Sequence, residues 1–249
     1  MYTLLESRLR LPKGSVQVFI LGYSNKMEKV CIFIDGANFY HLVLKKLGIE
    51  EVSFDFDKFA TFLANGRTIS SRGKRFYVGT VREKEGDMRS KEAMAKQTSL
   101  FTILKNANWE IKTSKLKTRL EEVPIDNRVV DYQKLQKLGI KKIVFERLRE
   151  KGVDVKLATD LIVGAVDNQY DTAILISSDS DLIPAIDWVR FRKKTKVEYV
   201  GFSIPDEDNP KNSTNPLISL IAKTDIKRTL VKSDLQPFIK QTLLQSKQE

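Results

Sequence analysis

Val30-Cys31-Ile32-Phe33-Ile34-Asp35-Gly36-Ala37-Asn38 joins five consecutive apolar residues to an acidic turn. A continuous apolar run of this length belongs to a strand buried on both faces, whereas a half-exposed strand alternates polar and apolar positions. A second run of the same kind, Thr172 to Ser177, ends in Ser178-Asp179-Ser180-Asp181. Between them lie two further strand-like stretches, Arg75 to Val81 and Trp109 to Thr113, and Val197 to Phe202 follows. Helical stretches separate the strands: Phe39 to Leu47 stopped by Gly48, Phe56 to Asn65, Met88 to Asn106, Val155 to Val166, Leu182 to Arg192, and Leu217 to Lys223. Strands alternating with helices predict an α/β fold with a doubly wound, mainly parallel sheet and helices on both faces.

Residues 29–225 hold this alternation and are read as one domain. Residues 1–28 fit it poorly and are read as an N-terminal arm, a strand, or an artefact of start-site choice. Residues 115–142 read as a charged insertion with a helical patch at Tyr132 to Leu138, after which Ile143 to Leu148 returns the chain to the sheet. Residues 226–249 are read as a C-terminal extension, of which Val231 to Glu249 is expected to pack as a helix or trail off.

The chain has 249 residues, of which 41% are hydrophobic, enough for one sizeable core. Lys and Arg exceed Asp and Glu by 43 to 32, a net charge of +11, which favours a polyanionic partner. The single cysteine, Cys31, excludes an intramolecular disulfide, and with a single histidine, His41, it excludes a Cys/His zinc site. Any metal must therefore sit on oxygen. Cys31 lies in the apolar run and is expected to be buried and inert. No apolar run reaches the length of a membrane span, and the short Val16 to Tyr23 stretch lacks a cleavage pattern, so a cytoplasmic protein is expected.

In an open parallel sheet, ligands bind beyond the carboxyl ends of the strands where strand order reverses. If the two acid-ended strands are neighbours, Asp35 meets Asp179 and Asp181 there. Clustered carboxylates repel unless a cation sits among them, and oxygen-only ligation points to Mg2+ or Mn2+. Such an ion activates water and steadies the departing oxygen of a phosphodiester, which is hydrolytic nuclease chemistry. Each acid also has a structural reading. Asp35 could cap the following helix, Asp181 the Leu182 helix with Pro184 in its first turn, and Asp154 the Val155 helix. Asp160 lies six residues on from Asp154, roughly 120° around the helix, and either borders the site or is partly buried against a basic partner.

Three stretches together resemble the motifs of NYN domains: Phe33-Ile34-Asp35-Gly36-Ala37-Asn38-Phe39, Lys151 to Asp160, and Tyr170 to Leu182. The resemblance spans roughly Lys29 to Lys223 and implies a PIN-like Rossmannoid fold, an acidic metal site and cleavage of RNA, expected to be single-stranded. It matches Asp35, Asp154, Asp179 and Asp181 to the family's acidic metal ligands, Asn38 to the Asn after the first Asp, and Asp160 to a further motif position. Ser178 and Leu182 stand where the family commonly has Gly and Phe.

For the substrate, Arg82, Lys84 and Arg89 follow the second strand at its carboxyl end and could grip phosphates, and Tyr40 could stack on a base. Solvated charge and core packing are the plainer readings of the same residues. Arg190, Arg192, Lys193, Lys194 and Lys196 complement a helix C-terminus without RNA. The leading expectation is a metal-dependent ribonuclease. Its alternative is a non-catalytic RNA- or protein-binding module on the same fold, against which clustered carboxylates argue. An aspartyl-phosphate mechanism is disfavoured because Asp35-Gly36-Ala37 lacks a second acid. A homo-oligomer is left open.

Overall fold

A computed structural model of the protein describes residues 27–81, 83, 86–150, 152–207 and 209–240. The N-terminal stretch, Arg82 and Lys84 fall outside these residues. The first strand, β1 (Lys29–Asp35), is buried from Val30 onward, as its unbroken apolar run requires. It turns directly into α1 (Gly36–Phe39), a π-helical turn at Tyr40–Leu44 and α2 (Lys45–Leu47), which Gly48 ends at φ 67°. Gly36 is required by close approach, because a Cβ there would lie 2.5 Å from the Phe76 ring and 3.0 Å from the Tyr77 carbonyl oxygen.

The order continues α3 (Phe56–Ala64), β2 (Thr68–Thr80), α4 (Met88–Asn106), β3 (Glu110–Pro124), α5 (Tyr132–Lys137), β4 (Lys142–Glu150) and α6 (Val153–Val166). Then come β5 (Thr172–Ile176), α7 (Ile183–Lys193), β6 (Lys196–Ser203), α8 (Ile218–Lys223), β7 (Ile226–Val231) and α9 (Lys232–Leu235). The strands form one sheet in the order β4-β3-β2-β1-β5-β6-β7. All neighbours are parallel except β3 and β4. The chain builds outward from β1 through β2 and β3, then crosses back to place β5 on the other side of β1. The reversal of order therefore falls between β1 and β5, the two strands that end in acidic motifs.

Each face of the sheet has its own core layer. One is aromatic: Phe39 packs against Phe54, Phe56, Phe59 and Phe202, with ring centroids 5.2 to 5.7 Å apart. The other sets Cys31, Phe33, Tyr77 and Leu175 against Leu157 and Leu161 of α6 and Ile186 and Val189 of α7. Among the described residues no helix is long and apolar enough to cross a membrane.

Two regions differ from the sequence expectation. The third strand does not stop at Thr113. It pairs with β2 as far as Lys115 and then continues to Pro124 in antiparallel register with β4, making a two-stranded ribbon beyond the sheet. Its polar, charged composition hid it, and Arg119 to Glu122 are not buried. Nor does the C-terminal segment trail off where it is described: β7 adds the seventh strand, Leu235 and Phe238 enter the aromatic layer, and Asp55 donates its backbone N–H to the Phe238 carbonyl at 2.7 Å.

The amino-end side of this sheet is tied by a buried charge cluster. Glu198, 1% exposed, accepts from Arg67 at 2.7 Å and from Arg228, and both guanidiniums also donate to the Leu63 carbonyl at the end of α3. Asp225 takes Arg190 at 2.7 Å, which accounts for one of the α7 cations without any ligand.

Candidate active site

The site is assembled where β1 and β5 end. Asp35, 3% exposed, is the last residue of β1 and also the N-cap of α1, accepting from the Asn38 backbone N–H at 3.0 Å. Capping and site placement are thus one geometry: the cap aims the carboxylate across the carboxyl end of the sheet. The Asn38 side-chain amide donates to the other carboxylate oxygen, which also accepts from the Ser177 hydroxyl at 3.3 Å.

Ser177 and Ser178, to which the sequence reading gave no role, organise the group. The Ser177 hydroxyl, 2% exposed as a residue, accepts the Asp179 backbone N–H at 3.1 Å and so fixes the turn carrying Asp179 relative to Asp35. Ser178 donates its hydroxyl to the Asn38 side-chain oxygen, which orients that amide toward Asp35. The residue standing where the family commonly has Gly therefore adds a bond a Gly could not make. A serine pair flanking an Asp at a buried strand end was the available signal.

Asp179 caps the 3-10 turn Ser180–Leu182 by accepting the Asp181 backbone N–H at 2.8 Å, so the cap is Asp179 and not Asp181. Asp181 is exposed beside it. Asp154 is not an N-cap either: α6 is capped by Gly152 at φ 94°, and Asp154 sits in the first turn. There its negative charge suits the helix N-terminus.

The electrostatics show that these four acids share one field. Burial raises the Asp35 carboxyl above its ordinary range; hydrogen bonds from Asn38 and Ser177 pull the other way, and the charge of Asp179 adds to the rise. Asp154 keeps exposed surface, yet its carboxyl is also raised, first by partial desolvation and then by Asp35, Asp179 and Asp181. Carboxylates held against their own repulsion favour a cation or a proton.

Asp160 is not brought to this group. It lies about 9 Å further along α6 at 1.5 Å per residue, where its carboxylate accepts from the Tyr77 hydroxyl at 2.9 Å and lies 3.7 Å from the Lys112 ammonium. That is the partly buried, base-paired placement. Tyr40 packs its ring against the aromatic core layer and edge-on to His41. Arg89 is exposed in the first turn of α4, at the carboxyl end of the sheet. The basic residues near the end of α7 sit at the opposite end, since α7 runs antiparallel to the strands. Burial pushes the Cys31 thiol up to about 12, which removes it as a nucleophile.

The donor set at the site is oxygen only, as Mg2+ and Mn2+ prefer. Among the described residues no three His, Cys, Asp or Glu side chains lie together at the spacing of a closed ligand set. Mg2+ does not need one, because it retains several waters and is commonly held by one or two carboxylates. Asp35 and Asp179, linked through the Ser177 hydroxyl, present oxygens of the kind such an ion takes.

The NYN domain profile matches residues 29–221, from the start of β1 into α8. The chain belongs to the NYN domain family. NYN domains are part of the PIN-like superfamily, whose α/β fold this sheet shows. The family consists in general of nucleases, and PIN-like nucleases typically work with divalent metals. No curated protein matches this NYN chain. A crystal structure of a protein of unknown function from Vibrio parahaemolyticus is similar to it, with a TM-score of 0.48 and 19% identity over 83% of this chain and 95% of that one.

Proposed function

We propose that this NYN protein is a metal-dependent ribonuclease that hydrolyses RNA phosphodiester bonds at the Asp35, Asp154, Asp179 and Asp181 group with Mg2+ or Mn2+. The observation that carries the reading is geometric: at the reversal of strand order, the buried Asp35 at the end of β1 is joined through the Ser177 hydroxyl to the turn that carries Asp179 at the end of β5. A protein of net charge +11 that only bound a polyanion would gain nothing from clustered carboxylates at its ligand-binding edge. When bound, the ion supplies polarisation for the attacking water and compensates charge on the departing oxygen. Asn38 and Ser177 hold Asp35 in one orientation as a carboxylate. Asp179 is fixed by its own cap, and Asp154 approaches from the α6 side, so the acids reach the site from both sides of the sheet.

A second reading, a binding module without catalysis, draws on the spread of the carboxylates beyond a closed ligand set. The two are separated by incubating labelled single-stranded RNA with the protein in Mg2+, Mn2+ or EDTA, beside an Asp35→Asn/Asp179→Asn double mutant. Metal-dependent cleavage lost in the mutant supports the nuclease. Equal RNA binding by both proteins with no cleavage in either moves the binding module ahead.

A further inference from the structure

The ribbon formed by the far half of β3 and β4 extends beyond the sheet, and its register sets Arg119 opposite Arg147. Residues two apart share a face of a strand, so Glu121 lies on the face of this arginine pair, 3.3 Å from Arg147. Two arginines to one glutamate make this the basic face. Like charges directly opposite each other destabilise a strand pair, so strand pairing alone does not account for the two facing arginines. Phe145, 40% exposed, sits opposite Glu121 on the basic face, next to the arginine pair.

The ribbon leaves the sheet at the carboxyl end of β3, the end at which the exposed Arg89 opens α4. In the sheet order β1 and β3 are two strand spacings apart, about 10 Å. The ribbon then projects about 30 Å past the carboxyl end over Leu116–Pro124 at ~3.3 Å per residue. A strand of nucleic acid lying across Asp35 and passing the end of β2 reaches it next.

We propose that this ribbon is a substrate arm that holds a single-stranded stretch of RNA beside the cleavage site, with phosphates on the Arg119 and Arg147 face and an unpaired base on Phe145. The proposal rests on the RNA reading above and adds grip, not chemistry. A basic track with an exposed aromatic suits a single strand, because unpaired bases offer the ring faces that a duplex keeps stacked.

The test is fluorescence anisotropy of labelled oligouridine in EDTA over a series of salt concentrations. It uses a 20-mer, a 6-mer and a 20-mer duplex, with wild type, Arg119→Gln/Arg147→Gln, Phe145→Ser, and a Lys194→Gln/Lys196→Gln control at the far end of the sheet. The arginine variant should bind the 20-mer more weakly, and its log affinity against log salt should be shallower by about 1.4, from ~0.7 per single-strand phosphate. Phe145→Ser should lose roughly tenfold on the single strand and little on the duplex, while the control matches wild type. Unchanged affinity and slope in the arginine variant overturn the arm, as does a wild type that binds no RNA. An equal loss on the duplex overturns the single-strand assignment. If wild type binds through the ribbon but in Mg2+ cuts neither oligomer, the arm stands and the nuclease reading fails.

Discussion

Ser177→Ala tests whether Asp35 works as a carboxylate whose affinity for protons is set by its neighbours. In the wild type, burial raises the Asp35 pKa above the ordinary 3.8, and the Ser177 hydroxyl at 3.3 Å is one of the bonds holding it down. A hydrogen bond to a charged group contributes about 1.5 kcal/mol at the weak end, and one pH unit corresponds to about 1.36 kcal/mol. Removing the hydroxyl should therefore move the acid limb of the cleavage rate up by roughly one pH unit. Metal-dependent cleavage needs the ionised form, so the variant should lose most rate below that limb and recover toward wild type above it. Stability runs the other way. An acid whose pKa is raised in the fold binds its proton more tightly folded than unfolded, so folding is favoured at low pH and weakens as pH rises from 3.8 through the raised value. The variant should extend that decline to higher pH. It should also lose about 1 kcal/mol throughout, because the Asp179 N–H, 3.1 Å from the hydroxyl, loses its partner. Rate-versus-pH profiles at Mg2+ well below saturation and urea titrations in EDTA at three pH values measure both. An acid limb that stays put while stability drops would refute the assignment of Asp35 as the titrating ligand.

Other perturbations separate site from scaffold. Glu198→Ala leaves Arg67 and Arg228 without their buried partner and should cost about 3–5 kcal/mol in urea unfolding, while cleavage per folded molecule stays at the wild-type value, since Glu198 lies toward the start of β6 and away from the site. Asp160→Asn should keep metal-dependent cleavage within a few-fold of wild type, because Asp160 is engaged by Tyr77 and Lys112; a loss as deep as that of Asp35→Asn would return Asp160 to the site. Mg2+ at one hundred times its dissociation constant should stabilise the wild type by about 2.7 kcal/mol, read as a rise in melting temperature that the Asp35→Asn/Asp179→Asn variant does not show.

The sheet was legible from the sequence to the extent that burial imposes a pattern. β1 and β5 lie inside on both faces, so Val30 to Ile34 and Ala173 to Ile176 have no polar position to interrupt them. β7 escaped because only Leu230 in it is buried, and Ile226-Lys227-Arg228-Thr229 reads as a polar surface. The far half of β3 escaped for a related reason: Lys115 to Glu122 holds only two apolar residues, Leu116 and Leu120, too few for hydrophobic periodicity to detect, whereas Ile143 to Leu148 in β4 was expected as a strand.

The site was legible in its acids and not in what holds them. Asp35, Asp179 and Asp181 follow from two strand ends meeting at the reversal of strand order, and that follows from the buried runs. Which acid caps which turn depends on where each helix begins, and one or two residues of shift moved the cap from Asp181 to Asp179 and from Asp154 to Gly152. Ser177 and Ser178 carry no charge and no periodic signal, so their bonds to Asp35, Asp179 and Asn38 emerge only when β1 and β5 stand side by side. The division has a physical cause. Charged residues at a site announce themselves because burying them is costly anywhere else. The hydroxyls and amides that orient them are cheap to place, and only three-dimensional proximity distinguishes them from ordinary turn residues.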